Sequence, residues 1–242
     1  MFQIKICGVT SVADARLIAA AGADAIGLNF IPGSPRCLTV DAAAAIAASL
    51  PAGITIVGVF VGRPPGEMLA VAKEVGLTAI QLHGLFDGPP ESSDPPWRCD
   101  ELRPYPVIRA VRLDEASADP DRLATARQWI DAAAACGARP AMALVDAGVS
   151  RGTTAGQMGG TGHTVEWESV ASTPDLPIPT TLAGGLTPEN VAAAIQASRL
   201  LAVDTASGVE SSPGQKDPDK VSRFVTAARA AFDVGSGPAA RP

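Results

Sequence analysis

The constraint that narrows the fold most is a recurring unit of short apolar strand, turn and helix, which returns about every 25–30 residues, as βαβ units do. Strands are read at Gln3–Cys7, Asp24–Phe30, Ile54–Phe60, Thr78–Leu82, Tyr105–Val111, Ala141–Asp146, Thr180–Ala183 and Leu201–Asp204. Between and after them the pattern gives helices at Ser11–Ala21, Val40–Leu50, Pro64–Glu74, Asp121–Cys136, Val165–Ala171 (short), Pro188–Ala197 and Pro218–Ala231. Thr10 or Ser11 and Thr187 stand where helices are capped, and Gly22 and Gly137 where they stop. The run Ile54–Phe60 suits a parallel strand covered on both faces. Eight such strands in 242 residues predict a single α/β domain, a (β/α)8 barrel over residues 1–233, with a disordered tail at 234–242. The rival, an open doubly wound sheet, announces itself with G-x-G-x-x-G after the first strand; Cys7-Gly8-Val9-Thr10-Ser11-Val12 does not supply it.

Two stretches resist the repeat. Leu85–Pro104 carries Pro89, Pro90, Pro95, Pro96 and Pro104, which leave room only for a short helix near Trp97–Leu102. Ala147–His163 is a long loop containing Gly159-Gly160-Thr161-Gly162, with no Gly-Lys-Ser/Thr to make it a Walker motif. Thr205–Asp217 is read as a loop.

Composition removes several classes of function. Hydrophobic residues are 47% and aromatics only 4%, so Ala, Val, Leu and Ile must fill a large core. The net charge of -6 without a basic run argues against nucleic acid or an anionic membrane as partner. A small anion held by backbone N–H groups remains compatible with that charge. Cys7, Cys37, Cys99 and Cys136 form no C-x-x-C pair, and with two histidines no zinc spacing appears, so no metal is expected. Free thiols and the absence of a signal-like or membrane-spanning run lead to the expectation of a cytoplasmic protein.

The chemistry should lie where the strands end, because barrel sites are built from the C-terminal ends of strands and the loops beyond. Those positions are Cys7, Arg36, His83, Asp146, Gly184-Gly185 and Ser207-Gly208. Along the first strand Lys5 and Cys7 share a face, and a lysine on a covered face calls for a counter-charge. Arg109 and Arg112 have opposite parity, so at most one faces the interior. Each candidate has a second reading: Cys7 as a small buried apolar residue, Asp146 as a turn cap, Arg36 as a solvated loop residue, His83 as a packed imidazole.

Lys5-Ile6-Cys7-Gly8-Val9-Thr10, Ser34-Pro35-Arg36, Val57-Gly58-Val59-Phe60-Val61, Gln81-Leu82-His83-Gly84 and Leu144-Val145-Asp146 occur in that order. Gly159-Gly160-Thr161-Gly162, Ala183-Gly184-Gly185-Leu186-Thr187-Pro188-Glu189-Asn190-Val191 and Asp204-Thr205-Ala206-Ser207-Gly208-Val209-Glu210 follow. The ordered set resembles the phosphoribosylanthranilate isomerase family from the first strand to the last helix. The resemblance implies an Amadori rearrangement of N-(5-phosphoribosyl)anthranilate in tryptophan biosynthesis, without metal or organic cofactor. It implies Asp146 as general acid, Cys7 as general base, and Arg36 as the partner of the anthranilate carboxylate. His83 joins the substrate site, and backbone N–H groups near Gly184, Gly185, Ser207 and Gly208 hold the phosphate. The partner is then a small phosphosugar, and the chain a monomer or homodimer. Strands 1 and 8 of a closed barrel are neighbours, which predicts a Lys5–Asp204 pair.

The chain departs from the family's pattern in places. Gly62 stands where the family often has Asn, and Ala206 where Ser is common. The acidic helix usual after His83-Gly84 is missing, and Ala147–Met158 is longer than usual. Two other functions fit the same fold: a related phosphosugar isomerase using two aspartates, which Cys7 argues against, and a non-catalytic phosphate binder, which needs neither Cys7 nor Asp146.

Overall fold

The structure is a computed structural model and describes residues 2–86, 88–113, 121–146, 167 and 175–235. In chain order the elements are β1 (Ile4–Cys7), α1 (Val12–Ala20), β2 (Ala25–Asn29), α2 (Val40–Ala48), β3 (Thr55–Phe60) and α3 (Pro65–Val75). They continue with β4 (Ala79–Leu82), α4 (Arg98–Glu101), β5 (Val107–Arg112), α5 (Ala124–Ala135) and β6 (Met142–Asp146). The last are β7 (Thr180–Ala183), α6 (Val191–Ser198), β8 (Val203–Thr205), β9 (Glu210–Ser212), β10 (Gln215–Lys216) and α7 (Pro218–Gly235). Strands β1 to β8 pair in sequence order, all parallel, and β8 returns to β1, so the predicted barrel is closed. The helix expected at Val165–Ala171 and the glycine-rich loop at 147–163 fall outside the described residues, apart from Trp167. So does the tail beyond Gly235.

Local chemistry explains the element boundaries. Ser11 caps α1 by accepting from the Asp14 N–H, and Thr39 does the same for α2 through Ala42. The fifth strand begins at Val107 and not Tyr105, since Pro106 has no N–H to donate to a ladder. Helix α5 begins at Ala124 and not Asp121, because the Asp121 carboxylate folds back onto the Leu123 N–H. Thr187 does not cap α6: it shapes the turn before it, accepting from the Glu189 N–H, and Asn190 takes the N-cap position. The stretch Thr205–Asp217, expected as a loop, holds a 3-10 turn (Ser207–Val209) and the β9–β10 hairpin.

The strand period of two sorts side chains into two cores. Ala25, Val57, Ala79, Ile108, Met142 and Leu144 form an interior cluster, and Phe2 joins them. Phe2 therefore does not share the outward face of Ile4 and Ile6, which pack in the larger cluster against the helices. On β1 that leaves Lys5 and Cys7 pointing inward. On β5 the outward residue is Arg109, 4% exposed, its guanidinium 4.9 Å from the Trp129 ring. Burial pushes Arg109 down to about 10, with Asp94 and Cys99 pulling the other way. Arg112, on the inward parity, stands beside Asp146 at the barrel mouth.

The proline-rich segment after β4 folds over the barrel rim and is not a long helix. Its Asp94 carboxylate accepts from the N–H of Gly62 (3.1 Å) and of Gly84 (2.7 Å), tying the ends of β3 and β4 together. The Trp129 indole donates to the Asp94 carbonyl at 2.9 Å. Gly62 has φ +58, and a Cβ there would lie 2.3 Å from the Glu91 main chain. The glycine at that position thus goes with the packing of this segment. No helix among the described residues is long and apolar enough to cross a membrane.

Candidate active site

Inward parity and strand ends together build the mouth. Cys7 closes β1, Asp146 closes β6, and His83 follows β4 directly. A cavity of about 380 Å3 is lined by Cys7, His83, Asp146, Gly184, Gly185, Ser207 and Gly208. The thiol and the carboxylate thus stand at the same end of the barrel, with the two glycine-bearing loops between them. A second cavity of about 530 Å3 adjoins it on the β4–β6 side and shares His83 and Asp146. Of the strand-end candidates read from sequence, Arg36 alone does not line the smaller cavity; its side chain crosses Gly8, where a Cβ would lie 2.3 Å from its Cδ.

Beneath Cys7 the barrel holds a buried ion pair. Lys5 Nζ donates to Asp204 Oδ1 at 3.0 Å, across the β1–β8 seam, where Lys5 and Asp204 are register partners. Burial alone pushes the Lys5 ammonium down; the charges of Asp204 and Cys7 outweigh it, and the net direction is up. The ammonium therefore stays charged, close to the thiol.

A second charge cluster flanks the same strand end. Arg36 donates from Nε and Nη2 to the two carboxylate oxygens of Glu210, at 2.8 and 2.6 Å, a side-on bidentate contact. Glu210 also accepts from Lys216 Nζ at 2.9 Å. Burial pushes the Glu210 carboxyl up, but Arg36 and Lys216 more than offset it and hold it below the usual glutamate value. Neither Glu210 nor Lys216 was singled out from sequence for a role. His83 sits half-buried with its Nδ1 3.3 Å from the Gln81 amide nitrogen. Burial lowers its pKa, the Asp146 carboxylate opposing, which favours the uncharged ring.

The loops after β7 and β8 pack against each other closely. Thr205 Oγ1 donates to the Leu186 carbonyl at 2.7 Å, and a Cβ on Gly208 would lie 1.8 Å from that same oxygen. Backbone cannot yield as a side-chain tip can. Gly208→Ala is therefore expected to cost about 1–3 kcal/mol of stability, as overpacking does, and to weaken anion binding by spreading the two loops. Denaturant unfolding and inhibition by inorganic phosphate measure the two effects; a variant unchanged in both would refute the close approach. The described residues hold no group of three or more His, Cys, Asp or Glu placed to bind a metal ion.

The model of the N-(5'-phosphoribosyl)anthranilate (PRA) isomerase family matches residues 4–227. The chain belongs to the phosphoribosylanthranilate isomerase family. The N-(5'-phosphoribosyl)anthranilate isomerase of Myxococcus xanthus is 40% identical over 227 residues, spanning 94% of this chain and 96% of that protein. The isomerase of Geobacter sulfurreducens is 40% identical over 230 residues, 95% of this chain and 99% of that one. Among solved structures, phosphoribosyl anthranilate isomerase from Thermotoga maritima superposes with a TM-score of 0.76 at 34% identity, covering 95% of this chain and all of that one. Another isomerase was solved in complex with reduced 1-(o-carboxyphenylamino)-1-deoxyribulose 5-phosphate. It is 31% identical with a TM-score of 0.71, covering 95% of this chain and 100% of its own.

Proposed function

We propose that this isomerase converts N-(5-phosphoribosyl)anthranilate into 1-(2-carboxyphenylamino)-1-deoxyribulose 5-phosphate, with Asp146 as general acid and Cys7 as general base. The observation that carries the assignment is the shared cavity, which has the carboxyl on β6 and the thiol on β1 with the two loops of the β7–β8 side in its wall. Asp146 donates its proton to the ribose ring oxygen as the bond from that oxygen to C1′ breaks. The anilino nitrogen supplies the electron pair that makes C1′ an iminium carbon. Cys7, as thiolate, takes the proton from C2′; the released pair forms the C1′–C2′ double bond and neutralises the iminium. Tautomerisation of the resulting enol gives the ketone at C2′ and a methylene at C1′.

Positioning follows from the same residues. Backbone N–H groups at Gly184, Gly185, Ser207 and Gly208 hold the phosphate, as barrel loops after strands 7 and 8 commonly do. Arg36 meets the anthranilate carboxylate with the part of its guanidinium that Glu210 does not occupy. His83 lines the same cavity as the phosphate-binding loops. The relative solved with the reduced ribulose phosphate supports this choice of substrate. The chain acts as a monomer or a homodimer; another T. maritima structure is described as monomers of a dimeric isomerase, and gel filtration decides for this chain.

Purified protein is expected to consume anthranilate ribotide, followed by loss of its fluorescence, and to restore growth of a tryptophan auxotroph lacking the isomerase. A folded chain that fails both tests is not this isomerase.

A further inference from the structure

The β9–β10 hairpin stands outside the eight barrel strands, yet its two charged side chains contact residues of the candidate site, Cys7 and Arg36. The Lys216 side chain is fully buried, and its Nζ donates to the Cys7 carbonyl (2.7 Å), the Ala206 carbonyl (3.0 Å) and Glu210 Oε1 (2.9 Å). An ammonium has three N–H groups, and this arrangement uses all of them. Lys220 Nζ donates to the Glu210 carbonyl at 2.8 Å and the Thr10 hydroxyl to the Gly214 carbonyl, which pins the hairpin at its start and at its turn.

The two gripped carbonyls are informative. In a trans peptide the C=O and the following N–H point in opposite directions. Lys216 does not line the cavity, whereas Ala206 and Ser207 do. By holding the Ala206 carbonyl on its own side, Lys216 turns the Ser207 N–H away from itself, and Ser207 lines the cavity. By holding the Cys7 carbonyl it fixes the end of the strand that carries the base. Through Glu210 it also holds the carboxylate that orients Arg36. A brace needed only for stability would be cheaper from apolar side chains, since burying charges costs desolvation.

We propose that Lys216 and Glu210 are positioning residues for the isomerisation, Lys216 aiming the phosphate-binding backbone and the base strand, Glu210 aiming the guanidinium that receives the substrate carboxylate. The proposal rests on the roles given above to Cys7, Arg36 and the 207–208 loop. It separates the two residues by readout. Lys216→Met should weaken competitive inhibition by inorganic phosphate at least tenfold and lower kcat. Glu210→Gln should raise KM for the substrate at least tenfold while phosphate inhibition stays within twofold of wild type.

Both variants are assayed as full-length protein beside a thermal unfolding curve. Equal weakening of phosphate inhibition in both variants overturns the proposal. So does activity lost only in proportion to unfolded protein, with KM and phosphate inhibition unchanged in what remains folded. If Lys216→Met does not fold, Glu210→Gln and Glu210→Asp carry the test: unchanged KM in both refutes the role of Glu210, and raised KM with unchanged phosphate inhibition supports it. Absence of turnover in the wild-type chain would instead defeat the functional reading itself.

Discussion

Cys7→Ala and Asp146→Asn are each expected to lower kcat by about 10²- to 10⁴-fold, the range general acid–base groups contribute. The two substitutions should leave inhibition by inorganic phosphate near wild type, because the loops proposed to bind phosphate follow β7 and β8, not the strands carrying the thiol and the carboxyl. Removing both groups together should cost little more than removing one, since ring opening and proton abstraction are successive steps of one path. Steady-state kinetics on the three variants decide. Near wild-type turnover in either single variant would dismiss that residue from the chemistry and return it to its plain alternative, a buried thiol or a turn cap.

The second large effect is on stability. Lys5→Met leaves Asp204 facing the barrel interior without its partner, and breaking a buried pair from one side costs about 3–5 kcal/mol. The loss should appear as a lower urea midpoint with an unchanged denaturant slope. A Lys5→Met, Asp204→Leu double variant removes both charges, and is expected to recover most of that stability, because the isolated carboxylate is gone. The recovered protein should still turn over poorly, for Asp204 lines the cavity and Lys5 supplies positive charge beside Cys7. A single variant as stable as wild type would mean that water or another cation reaches Asp204.

These two predictions draw on parts of the chain that were legible in different ways. The barrel and its strand ends could be read from the sequence because parity and glycine-terminated strands are local signals. The Lys5–Asp204 pair was legible by one further step: inward parity at Lys5, plus closure of the ring, leaves β8 as the neighbour. Arg36 was visible as a candidate, but its union with Glu210 lies 174 residues away in sequence and has no local signature. The hairpin that brings Glu210 and Lys216 together spans few residues, and Ser211, Ser212 and Gly214 within it read as loop. Parity said that only one of Arg109 and Arg112 faces inward; that Arg109 is the outward one, stacked on Trp129, depends on where α5 packs. The prolines of 85–104 forbade a long helix, yet nothing local marks Asp94 as the group that ties Gly62 to Gly84.

The seam between β1 and β8 also has a consequence for synthesis. Cys7, the proposed base, is translated about 200 residues before the groups that brace its strand, Asp204, Glu210 and Lys216. A nascent chain stalled before residue 204 carries an inward-facing lysine with no counter-ion and an unbraced thiol strand. The β1–β8 seam is therefore closed only when the stretch from Asp204 to Lys216 has left the ribosome, and fragments ending before it lack the counter-charge of Lys5.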